Sequence, residues 1–251
     1  MYKHLSVAAA ILICSSSFSI ADDGIWRGRI GVSQNDFSTI WSGGDLEVDY
    51  MSLNAGVSYI TPEANYFDLA YKTNMDGEWN TQALSPDLND GRDEDYDRDD
   101  ITITIGRVLE SGLQVYGGYQ DSHADIYLPS VSWVQGLNSV VKEEIDITGF
   151  FFGVGKSYKL GEGSLNLNFA YGFMDAALID SIGVKSTADD GDGYSLGAAY
   201  SYYFSNTLGV SFEFKQQKYS YDFDLSQGAA AQVTSGDDEL TMLGVNLIRQ
   251  F

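Results

Sequence analysis

Ten stretches of this chain alternate apolar and polar side chains residue by residue, and that period of two decides most of what it can fold into. Successive side chains of a strand point to opposite faces, whereas a helical face repeats every three to four residues. The clearest stretch is 164–173, where Leu165, Leu167, Phe169, Tyr171 and Phe173 oppose Asn166, Asn168, Ala170 and Gly172. The others fall at 25–33, 48–60, 65–74, 101–109, 113–120, 145–158, 194–204, 207–219 and 237–251. Each can supply the roughly nine to eleven residues that a tilted strand needs to cross a bilayer. Beyond residue 21 no apolar run is long enough for a membrane-spanning helix.

The connections alternate in length. Those at 61–64, 110–112, 159–163 and 205–206 are tight, while 34–47, 75–100, 121–144, 174–193 and 220–239 are long. Pro62, Pro86 and Pro129 all fall in connections, where no ladder hydrogen bond is lost. Short turns at one end and long loops at the other are the pattern of an antiparallel membrane barrel.

The two faces differ in kind. One carries Leu, Val, Ile and Phe, with Tyr toward strand ends; the other carries mainly Gly, Ser, Asn, Thr and Gln. A secreted soluble ligand-binding barrel would show water a face rich in Lys and Glu. Small uncharged residues suit the crowded interior of a narrow barrel, with the apolar face toward lipid. The expected fold is therefore all-β: a ten-stranded antiparallel up-and-down transmembrane β-barrel over residues 22–251, with eight or twelve strands as the alternatives.

Residues 1–21 are expected to be a cleaved signal peptide. Lys3 and His4 precede the apolar run 5–14, and Ser19-Ile20-Ala21 is a small-x-small cleavage site. Its removal takes away Cys14, the only cysteine. The net charge of −22 excludes nucleic acid as a partner.

The chain closes on an alternating strand. Leu243, Val245, Leu247 and Phe251 share one face, and Met242, Gly244, Asn246 and Gln250 the other. A final strand ending on phenylalanine resembles the terminal strand of bacterial outer-membrane β-barrels, porin-like or OmpA-like. That resemblance implies location in the outer membrane of a Gram-negative cell and a role for Phe251 as the signal read by the barrel-assembly machinery. Arg249, on the lipid side where an apolar residue is usual, departs from the pattern and can snorkel to the headgroups.

Three groups of residues are candidates for function. Arg27, Arg29, Asp68, Lys72, Glu213 and Lys215 all face inward in this register, as an ion-pair plug or a selective constriction, with Glu213 and Lys215 as the opposed charges. The segment 75–100 holds ten acids and two arginines, a net of −8. Within it Asp93, Asp95, Asp97 and Asp99 could attract Ca²⁺ or Mg²⁺, bridging to lipopolysaccharide, although Arg98 and Thr104 break the calcium-loop pattern. Asp121-Ser122-His123, facing Asp93 or Asp95, resembles the Asp-His pair and facing aspartates at the rim of the omptin proteases. The expected function is a non-enzymatic, monomeric barrel among outer-membrane lipids, serving as a narrow channel or as a scaffold for acidic loops. An omptin-like rim protease is the alternative.

Overall fold

The computed structural model describes residues 24–41, 44–79, 96–129, 140–179, 185–222 and 235–251. The expected signal peptide lies outside them. Ten strands form: β1 (Ile25–Trp41), β2 (Gly44–Ile60), β3 (Asn65–Trp79), β4 (Tyr96–Val108), β5 (Leu113–Pro129), β6 (Val140–Leu160), β7 (Gly163–Ile179), β8 (Lys185–Tyr203), β9 (Leu208–Asp222) and β10 (Ser235–Gln250). Each pairs antiparallel with its neighbour in sequence, and β1 pairs with β10 to close the barrel. Closure leaves no strand edge, as a wall in lipid requires, because unpaired backbone groups there cost several kcal/mol each.

The tight connections fall where the alternation stops. Gly112 and Gly161 take positive φ in two of them, which favours glycine. At the opposite end the sequence expectation needs correction. The strands run well into the segments read as long loops: β1 continues to Trp41, β5 to Pro129 and β9 to Asp222, while β4 starts at Tyr96. These extensions still alternate, but their chemistry is reversed, so a search for apolar outward positions ended each strand too early.

Toward the tight turns the outward side chains are mainly apolar. Phe150, Phe152, Ile105 and Leu243 are each more than half exposed. They belong to continuous rows: Phe173, Phe150, Tyr119, Ile103, Leu69 and Val57 are successive cross-strand partners. An apolar girdle of this extent does not face water in a soluble protein. At its upper margin Tyr71 donates to Asp99 (2.7 Å) and Tyr171 donates to Asp192, so the rings stay with the belt while the hydroxyls meet the charged zone above.

Candidate functional site: the lumen and the outer collar

Above the tyrosine margin the wall turns inside out. Asp97, Asp99, Asp121, His123, Asp125, Lys142, Glu144 and Asp146 face outward, while Phe37, Val48, Tyr50, Tyr96, Ile126, Ile145, Ile147, Leu178, Tyr221 and Leu240 pack within. Ile126 is 0% exposed. The interior of this collar is a hydrophobic core that stops the lumen at its loop end. Phe37 and Tyr96 stack at 6.0 Å, and Tyr50 leans on Tyr96 at 5.2 Å. Asp238 is buried there beside Thr39 and Tyr221, and burial pushes its carboxyl up.

Arg98 floors this stopper. Its guanidinium lies 5.2 Å from the Phe37 ring centre, and its Nε donates to Asp100 at 2.9 Å. Lys72, the direct β3 partner of Asp100, donates to the other carboxylate oxygen at 2.8 Å. At the base of the stopper the lumen is also bridged from β9 to β5, where Gln217 Nε2 and the Tyr219 hydroxyl donate to Gln120 Oε1 at 3.4 and 3.3 Å. Nearer the tight turns Arg29 reaches across β2 to grip Asp68 with both terminal guanidinium nitrogens (2.5 and 2.8 Å), and Ser58 donates to the same carboxylate at 2.5 Å. Gly56 makes that crossing possible, since a Cβ there would sit 2.6 Å from the guanidinium carbon.

All six lumen residues expected from the sequence lie on inward-facing positions, but their partnerships differ from the expectation. Glu213 and Lys215 form no ion pair with each other among the described residues. Glu213 accepts from Ser211 at 3.3 Å and acts on Arg29 through space. Asp68 and Lys72 are instead taken by Arg29 and Asp100. The centre of the network, Arg98 and Asp100, was assigned from sequence to the acidic loop. The signal was present: Arg98 and Asp100 have the same parity as inward Thr102 and Thr104.

The other candidates sit on the outer wall. Asp97 and Asp99 are strand residues of β4 facing outward, and Asp93 and Asp95 lie outside the described residues. Among the described residues no group of three or more His, Cys, Asp or Glu is placed to hold a metal. Asp121 does not pair with His123. The imidazole is held by Asp146 of β6 at 2.6 Å and by Asp125 at 3.1 Å. Lys142 joins Asp125 to Glu144, at 2.8 Å each, extending this lattice along the wall. Burial draws the His123 pKa down, but the hydrogen bond with Asp146 and the charges of Asp125, Asp146 and Glu144 outweigh it and leave it raised. The histidine therefore faces the surroundings of the barrel and not its mouth. Phe251 is tied at the other end: its N–H donates to the Trp26 carbonyl at 2.9 Å, and Arg249 lies 5.0 Å from its ring centre.

No protein-family model matches this sequence, and no curated protein matches it. Among solved structures it is similar to the outer membrane protease OmpT from Escherichia coli. The TM-score is 0.65 at 14% identity, over 94% of this chain and 100% of that one. It also aligns with the translocator domain of the autotransporter NalP from Neisseria meningitidis, at TM-score 0.49 and 11% identity over 97% and 95% of the two chains. At such identities the likeness concerns fold. The fold is that of the bacterial outer-membrane β-barrels: a closed ten-stranded antiparallel cylinder with an apolar belt.

Proposed function

We propose that the protein is a monomeric, non-enzymatic barrel of the Gram-negative outer membrane, plugged at rest and serving as a scaffold for its acidic outer end. The carrying observation is the hydrophobic core inside the collar, seated on the Arg98–Asp100–Lys72 network. Open aqueous channels use about sixteen or more strands, and ten strands enclose a space that side chains can fill. The collar's carboxylates would gather Ca²⁺ or Mg²⁺ as diffuse counter-ions facing anionic lipopolysaccharide. Phe251 would be read by the assembly machinery.

Single-channel recording of the refolded protein in a planar bilayer, with and without Ca²⁺, tests the reading. A plugged barrel gives no steady conductance steps, and regular steps at neutral pH reject it. On intact cells, added protease should cut between β3 and β4 before any strand; first cleavage near Pro62 or Gly161 would mean the inverted orientation. OmpT is a protease, so peptide hydrolysis belongs in the same series. The position of His123 on the outer wall favours no cleavage, and turnover abolished by His123→Ala would favour the enzyme.

A further inference from the structure

Between the stopper and the tight turns, the described inward side chains include five cations, Arg27, Arg29, Lys72, Arg98 and Lys215, against three carboxylates, Asp68, Asp100 and Glu213. A chain of net charge −22 thus carries a lumen with two positive charges in excess. Enclosed charge of one sign is costly unless something neutralises it.

The excess is localised. Lys72 and Arg98 hold one carboxylate, Asp100, directly, and Lys215 feels the charge of all three. Lys215 projects from β9 on the far side of the barrel, within the fields of Lys72 and Arg98. Among the described residues it has no ion-pair or hydrogen-bond partner. Glu213, two residues along the same strand, is engaged by Ser211. The Arg27 Nε is buried without a hydrogen-bond partner.

There is also room. Side-chain exposure is 3% for Arg98 and 8% for Asp100, but 15% for Lys72, 19% for Asp68 and 23% for Arg29. All of these point inward, so the accessible space is the lumen itself, and exposure rises from Arg98 toward Arg29.

We propose that this lower lumen is an anion chamber, open toward the tight turns, in which Lys215 and Lys72 hold a small inorganic oxyanion of the phosphate class. Such an anion restores neutrality around Asp100 and offers several acceptor atoms to ammonium groups arriving from opposite walls. The inference rests on the charge of the lumen and holds whether or not the barrel conducts.

The test is thermal unfolding of the refolded barrel, followed by its migration on unboiled gels, in sodium phosphate and in sodium chloride at matched ionic strength. A ligand that binds only the folded state raises the melting temperature with its concentration. Phosphate should raise that of the wild type in a saturable way beyond chloride. Lys215→Met should abolish the difference, and Lys218→Met, which removes an outward lysine of the same strand, should retain it. If Lys215→Met does not refold, Lys215→Gln serves in the same comparison. Equal responses to the two salts, or an unchanged phosphate response without Lys215, would overturn the proposal.

Discussion

The belt and the collar are built from the same ten strands, in unbroken alternation but for register shifts in β3 and β8, yet they are chemical opposites. In the belt Phe152 points outward and is 64% exposed, while Arg29 and Asp68 pair inside. In the collar Ile126 is fully buried inside, while His123 and Asp146 pair outside. Each arrangement is correct for its solvent. Lipid rewards apolar area outside and leaves polar groups to pair in the lumen. Water makes the collar an ordinary two-faced wall around a hydrophobic core. The change from one to the other, at Tyr71, Asp99 and Asp100, marks where the outer surface leaves the membrane.

The largest effect is expected at that junction. Asp100→Ala leaves Arg98 and Lys72 buried without their carboxylate, at a cost of about 3–5 kcal/mol if burial is complete. Urea unfolding from lipid vesicles measures it, and a loss below about 1 kcal/mol would mean that water already screens this layer.

Next comes a pair of isoleucines on opposite sides of the wall. Ile126→Ala opens a cavity in the collar core and should cost about 2–5 kcal/mol. Ile105→Ala faces lipid, which closes over the gap, so its cost should be clearly smaller. Equal costs would refute a close-packed collar.

A third comparison adds charge outside. Phe152→Arg places a cation in the apolar belt and should cost about 2–4 kcal/mol near the midplane. Asp121→Arg also places a cation on the outer face, replacing an acid just above the tyrosine margin, where the shift should stay within about 0.5 kcal/mol. Similar penalties at both sites would move the membrane boundary upward.

The smallest expected effect is the pH dependence of the collar's outer wall. His123 has its pKa raised in the folded state by Asp146, Asp125 and Glu144. Its contribution is therefore complete below the unfolded value of about 6.5 and fades as pH rises through the higher folded value. It should remain under about 1 kcal/mol, because the ring is partly exposed. His123→Gln should remove this slope between mildly acid and alkaline pH while leaving the rest of the profile unchanged.

Much of this architecture was legible in the chain. Period-two alternation assigns each side chain to a face, and the spacing of tight turns gives the strand count and the antiparallel order. The inward placement of Arg29, Asp68, Lys72, Glu213 and Lys215 follows from parity alone. Parity does not say which face is apolar, because that depends on whether lipid or water lies outside. The stretches around Tyr96, His123 and Tyr221 therefore looked like loops while being strands of reversed chemistry. Partners in the lumen were equally out of reach. Arg29 meets Asp68 by crossing β2 over Gly56, and Lys215 enters the field of Lys72 from the opposite wall. Such encounters depend on strand stagger and on the width of the closed barrel. Local sequence fixes the direction in which each side chain points, and only the closed cylinder decides what it meets.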